Sequence, residues 1–335
     1  MVTAKDVAER LQVSISTVGR ALADDNRISV DTRQRVREAA ADMGYAGNSA
    51  ARIVRGQSSN LVGLIVPDIR NSFYANVAHQ LSVTLSQYGY HLMLAESGDD
   101  RSTELRHVRD LVAGKAAALI AVPSGSPHPE LVKLLESIPH VQLLRKQQGW
   151  GEQCFGIGDN EALREATAHL AQLGHTRVAY IGGPLSLSTG SERLRGYRSV
   201  VRDHQMADEP ELQNLIPPAS PDGAAKVVRE LLASKQPPTG LVLGSVQLTI
   251  GVLDALTSDT TAVPHRLSIV GFGDEPGFSW WGPGLTTMTL PVAAAASSCA
   301  LWVVDRLRAP TDNSAAYTAL MSGRLQIRGS TARLD

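Results

Sequence analysis

The sequence predicts a small all-α unit at the N-terminus followed by an α/β core of two doubly wound parallel-sheet lobes. Three observations lead there. Three short amphipathic helical patterns fall within the first 45 residues, apolar strand runs alternate with helical patterns from Leu61 onward, and the alternation continues for about 270 residues. That length exceeds what one small doubly wound sheet uses, so two similar lobes with a cleft between them are expected.

In the N-terminal unit, Val7, Ala8 and Leu11 recur at helical spacing, and Ser14 offers an N-cap for a second helix carrying Val18, Ala21 and Leu22. A third helix opens at Ser29, aligns Val36, Ala39, Ala40 and Met43, and stops at Gly44. Periodicity alone fits a helical interaction module as well as a DNA-binding one. In the core, Leu61 to Val66 is a continuous apolar run ended by Pro67, as expected of a strand covered on both faces. Further strands are predicted at 90–95, 117–122, 140–144, 177–181, 240–243 and 267–272. Helices are predicted at about 74–88, 102–113, 129–136, 160–173, 192–204, 222–233 and 247–256. Such repetition means parallel strands joined by right-handed crossovers.

Hydrophobic residues make up 43% of the chain and charged residues 19%, with no low-complexity tract, so a large core can be buried. The net charge of −1 excludes a generic nucleic-acid coat, and residues 1–60 carry nine Lys and Arg against seven Asp and Glu, so charge adds little to a DNA reading. The two cysteines, Cys154 and Cys299, lack the short spacing of a zinc or redox motif and fit a reducing compartment. Charges interrupt the apolar residues at the N-terminus, and no run elsewhere approaches the ~20 apolar residues of a membrane span. A cytoplasmic protein without an export signal or membrane partner is therefore expected. No phosphate loop, nucleophile elbow or HExxH is present; Gly156 and Gly158 lack the third glycine of a dinucleotide fingerprint and follow no clean strand. No enzyme activity, cofactor or metal is predicted.

An ordered set of residues goes further. Asp6, Val7, Ala8, Val13, Ser14, Thr17, Val18 and Arg20 are followed by Ile28, Ser29, Thr32 and Arg33, then Gly44 and Tyr45. Beyond them come Leu173-Gly174-His175, Ile181 to Pro184, Glu192 to Tyr197, Ile269 to Phe272, and Leu285 to Thr287. In this order and at these separations the chain resembles the LacI/GalR (lactose-repressor) family over nearly its whole length. The resemblance implies a helix-turn-helix DNA-binding headpiece at 1–47, a hinge helix and linker at 48–60, and a periplasmic-binding-protein-like core at 61–335. The implied first lobe spans about 61–160 and 291–322, and the second about 161–290. It further implies a transcriptional repressor, a homodimer on a pseudo-palindromic double-stranded operator, switched by a small-molecule effector in the cleft.

By that resemblance Ile15, Ser16 and Arg20 stand at base-reading positions, where Arg20 suits guanine and Ile15 a thymine methyl. Ser14, Thr17 and Asn26 stand where phosphates are held. The bland alternative leaves Ile15 packed in the headpiece and Ser14 as a helix cap only. Gly19 replaces the serine usual in the family. In the hinge, Asn48, Ala51, Arg52 and Val54 match the segment that enters the minor groove, although Val54 replaces the usual lever leucine and Gly47 the usual proline. An ordinary flexible linker is the alternative there.

For the cleft, the residues after the core strands deserve inspection, since ligands of open α/β sheets gather at strand carboxyl ends. Phe73, Tyr74, Ser124, Arg145, Thr189 and Arg193 match effector positions, with Arg193 the strongest because a guanidinium suits hydroxyl or carboxylate pairs. A surface ion pair of Arg193 with Glu192 or Asp203 is the alternative. Ser245 stands where the family often has Asn, and Gly273-Asp274 where it often has two acids. Acids thus look thinned while both arginines remain, so a sugar acid is expected alongside a neutral sugar. Trp281 offers a stacking wall, and Trp280 is expected in the core or between lobes. Two other classes predict a different sequence: a transport-type sugar-binding protein predicts an export signal and no headpiece, and an α/β enzyme predicts one of the absent motifs.

Overall fold

The computed structural model describes residues 2–22, 25–45, 59–257, 263–309 and 316–334. It divides into a unit ending at Ser59 and a larger unit from Asn60. The hinge positions Asn48, Ala51, Arg52 and Val54, with Gly47, lie outside the described residues.

The first unit is three helices: α1 (Ala4–Leu11), α2 (Ile15–Leu22) and α3 (Val30–Asp42). Each start has a local cause. Thr3 and Asp6 form a capping box at α1, Ser14 accepts the Thr17 N–H at 3.0 Å, and Ser29 accepts the Thr32 N–H at 3.2 Å. Gln12 ends α1 in the left-handed region at φ 53°, which turns the chain tightly into α2. Val7, Ala8, Val18, Ala21, Val36, Ala39 and Ala40 form the buried cluster, with Leu11, Leu22 and Met43 packed around it, as the spacing predicts.

The second unit holds two six-stranded sheets. In chain order its elements begin β1 (Leu61–Val66), α4 (Ser72–Ser86), β2 (His91–Glu96), α5 (Arg101–Ala113), β3 (Ala118–Ala121), α6 (Glu130–Leu135), β4 (His140–Leu143) and β5 (Cys154–Ile157). The chain then crosses to α7 (Asp159–Gln172), β6 (Val178–Gly182), α8 (Ser188–Asp203), a 3-10 turn, β7 (Gln213–Leu215), α9 (Pro221–Leu232), β8 (Gly240–Leu243), α10 (Val246–Leu256), β9 (Ser268–Phe272), α11 (Pro276–Trp280) and β10 (Thr286–Thr289). It crosses back to α12 (Val292–Arg308) and β11 (Thr318–Met321), and once more to β12 (Arg324–Gln326). The sheet orders are β2-β1-β3-β4-β5-β11 and β7-β6-β8-β9-β10-β12. Among the described residues every strand pairing is parallel except β10 with β12. Three crossing segments therefore join the lobes, and two of them are tied where Gly158 N–H donates to Met321 O at 2.9 Å.

Several elements escaped the pattern reading. β5 is four residues long and contains Gly156, so it shows no alternation, yet it pairs with β4 and β11. Gly156 and Gly158 therefore do end a strand and open a helix, which corrects the expectation that no clean strand precedes them. β10 reads Thr-Thr-Met-Thr, and its polar composition hides a strand whose first three residues are buried. Residues 323–334, left without a lobe by the sequence, complete the second sheet through β12, and Ile269 N–H donates to Ser330 O beyond it.

Two positions yield direct tests. Gly196 lies where α8 meets α7, and a Cβ there would fall onto the Asn160 carbonyl. Overpacking of this kind costs about 1–3 kcal/mol, so Gly196→Ala lowers the denaturant midpoint of the core without changing the slope. Glu104 is fully buried in the first lobe, where one oxygen accepts Ser124 N–H at 2.8 Å and the other its hydroxyl at 2.7 Å. Burial raises its carboxyl above the ordinary value of 4.5, against the pull of the Ser124 bonds. The unfolded chain therefore gives up this proton first. Glu104's contribution to stability is complete below that ordinary value and is lost as pH rises through the folded one. Glu104→Gln, which cannot ionise, gains stability relative to wild type between acidic and neutral pH; denaturation curves across that range showing the opposite trend contradict the assignment.

Candidate functional site

In the first unit, the start of α2 presents a polar, exposed face. The Ser14 hydroxyl lies 2.7 Å from Ser16 Oγ and 2.8 Å from Thr17 Oγ1, so three hydroxyls stand side by side. Ser14 does cap α2, and its exposure leaves it free for a further contact. Ile15 is 53% exposed and stands outside the buried cluster, so it does not serve as headpiece core. Ser16, Arg20 and Asn26 are also exposed, and Thr17 is half-buried. Beside Asn26, Arg27 chelates Asp25 and holds its carboxyl down at about 2. Exposed hydroxyls, an apolar tip and a guanidinium on one short helix after a tight turn are what a groove-reading helix needs.

In the second unit a cavity enclosing about 770 Å3, its mouth included, lies between the lobes. Its walls come from strand carboxyl ends: Pro67 and Asp68 follow β1, Asp99 follows β2, Arg145 follows β4, and Asp159 follows β5. From the other lobe come Gly183 after β6, Pro218 and Ala219 after β7, Ser245 after β8, and Phe272 at the end of β9. Helix α4 adds Phe73 and Tyr74, whose rings meet edge to face at 5.4 Å, and α8 adds Thr189 and Arg193.

Two buried ion pairs dominate the electrostatics, one in each lobe. Arg145, 4% exposed, pairs through Nη1 and Nη2 with both carboxylate oxygens of Asp99, and its Nη2 also donates to Tyr74 Oη at 3.4 Å. Arg193 donates from Nε to Asp159 Oδ1 at 2.7 Å, with Nη2 equally close to that oxygen. Its Nη1 donates to Gly244 O at 2.6 Å, and its guanidinium lies 4.1 Å from the Phe272 ring centroid. Burial raises the Asp159 carboxyl while Arg193 pulls it back, with two guanidinium nitrogens converging on the one oxygen Oδ1. Burial likewise raises the Tyr74 phenol, which stays a neutral donor toward the cavity.

Of the nine effector positions read from the sequence, Phe73, Tyr74, Arg145, Thr189, Arg193 and Ser245 line this cavity. The other three do not. Ser124 is turned into the first lobe to satisfy Glu104, Asp274 is chelated by Arg328 at 2.9 and 3.0 Å, and Trp281 packs against the core of the second lobe. Trp280, expected inside, is 80% exposed. Arg193 pairs with neither Glu192, which binds Arg195, nor Asp203, which faces Arg164. The thinning of acids is also corrected, because Asp68, Asp99 and Asp159 all reach the cavity. Sequence reasoning missed Asp99 and Asp159. Each is an acid placed just past a strand end, and that placement was the available signal. Among the described residues no cluster fit to hold a metal occurs, and no helix is long and apolar enough to cross a membrane.

Comparison with known proteins finds matches in both units. Residues 3–48 match the model of bacterial regulatory proteins of the lacI family, and residues 167–331 match the periplasmic binding protein-like domain. The HTH-type transcriptional regulator GalR of Salmonella typhimurium (strain SL1344) is 27% identical over 303 residues, 90% of this chain and 88% of the relative. The HTH-type transcriptional repressor CytR of Escherichia coli (strain K12) is 27% identical over 337 residues, 99% of this chain and 97% of the relative. In fold, the chain is similar to the Lac repressor dimer bound to operator and the anti-inducer ONPF, with a TM-score of 0.82, 23% identity, and 99% of each chain covered. The chain therefore carries a lacI-type regulatory domain ahead of a two-lobed periplasmic-binding-protein-like core, and it is similar to the named DNA-binding transcriptional regulators over nearly its whole length.

Proposed function

We propose that this chain is a repressor whose operator affinity is switched by a small hydroxyl-rich molecule, a sugar or sugar acid, held between the two lobes. The cavity at the strand carboxyl ends carries the reading, because its walls belong to separate lobes and a ligand there senses their separation. Phe73 offers an aromatic face to a sugar ring, and Tyr74, Thr189, Ser245 and Arg193 offer donors and acceptors to its hydroxyls. On the DNA, Ile15, Ser16 and Arg20 read bases, Ser14, Thr17 and Asn26 hold phosphates, and Asn48, Ala51, Arg52 and Val54 follow the minor groove. The protein acts in the cytoplasm as a homodimer, which matches two headpieces to a pseudo-palindrome. The regulator relatives and the operator-bound dimer of the Lac repressor support this reading.

The experiment is footprinting of the DNA upstream of the protein's own gene and neighbouring operons at several salt concentrations, repeated with a panel of sugars and sugar acids. A compact palindromic footprint that salt weakens and one panel member alters is expected. Uniform weak binding to every fragment, unchanged by the panel, overturns the proposal. In the same assay Arg20→Ala costs about 1–3 kcal/mol of preference for the specific site, while binding to unrelated DNA changes far less.

A further inference from the structure

The cavity holds three carboxylates, Asp68, Asp99 and Asp159, against two guanidiniums, Arg145 and Arg193. Neither guanidinium is an open anion receptor. Both terminal nitrogens of Arg145 are engaged by Asp99 and Tyr74, and its Nη1 also reaches Pro123 O at 3.3 Å. Arg193 commits Nε to Asp159 and Nη1 to Gly244 O, and one of its faces is covered by Phe272. Asp159 sits at the first turn of α7 and Asp99 in the left-handed turn after β2, and both line the cavity beside their arginines.

Resting on the reading of this cavity as the effector site, we infer that Asp99 and Asp159 are its specificity determinants: they cancel the charge of Arg145 and Arg193 and select an uncharged, hydroxyl-rich ligand over its acid. A ligand carboxylate entering the cleft meets two arginines already neutralised and Asp68 at the wall. Its lost hydration is then not repaid by a free cation. A hydroxyl needs no countercharge. It accepts from the spare Arg193 N–H groups or from Tyr74 and donates to Asp68 or to an Asp159 lone pair. The selection acts by withholding a partner from the anion.

The test is isothermal titration calorimetry of D-glucuronate, D-glucose and inorganic phosphate into the full-length protein and its Asp159→Asn and Asp99→Asn variants, with unfolding temperature followed in parallel. Wild type is expected to bind neither anion measurably. Each folded variant, with one guanidinium uncovered, gains about tenfold or more in affinity for glucuronate or phosphate, reversed by salt, and its unfolding temperature rises with the anion. Anion binding by wild type that weakens in the variants overturns the inference, since the aspartates would then be aiming the arginines at an anion. Folded variants that gain nothing also overturn it. Should one variant fail to fold, the other lobe's variant carries the comparison, and tight anion binding by wild type is decisive alone. None of these readings uses DNA. Charge selectivity without any effect on operator binding sinks only the regulatory reading, whereas operator release by glucuronate as readily as by glucose sinks only this inference.

Discussion

A guanidinium can be buried at a ligand site only in the company of a carboxylate, and the core is organised around two instances of that constraint. Arg145 with Asp99 and Arg193 with Asp159 stand in the two lobes of one cavity, each closed by a further polar partner, Tyr74 Oη or Gly244 O. Removing one member of the more deeply buried Arg193–Asp159 pair strands a charge at a cost of about 3–5 kcal/mol. Asp99 occupies the left-handed region at φ 57°, and Asp159 opens α7 with only Gly158 between it and the end of β5. The arrangement orients hydrogen-bonding groups for a polar ligand without making the cavity strongly cationic.

The lobes around those pairs are built alike. Each has a six-stranded sheet, parallel except for the β12 edge of the second, and each delivers its cavity residues from strand carboxyl ends. Three crossing segments connect them, so a change in their separation is absorbed at few backbone positions, among them Gly158 and the turn from β11 to β12.

Periodic elements were legible in the sequence, and their reason is physical. Val7 to Ala40 repeat at helical spacing because one stripe of each headpiece helix is buried, and Leu61 to Val66 run unbroken because both faces of β1 are covered. Short strands were not legible. β5 and β7 offer four and three residues, too few for a period, and β10 buries threonines that composition reads as polar. Arg193 was found because its position matched a motif. Its partner Asp159 was not, because a pairing between residues 34 apart is a property of the fold and leaves no local pattern. Asp274 and Ser124 misled for the same reason: Arg328 and Glu104, distant in sequence, claim them first.

The central claim is that one ligand in the cleft and one DNA site share a two-state core. Coupling of that kind is reciprocal: a ligand that changes operator affinity must have its own affinity changed by operator in the same ratio. The most direct measurement is therefore calorimetric titration of the ligand identified from the sugar panel into the protein, free and saturated with its operator fragment. The account predicts two dissociation constants that differ by about 5–150-fold, matching the ligand's effect on operator binding. Equal constants would contradict it.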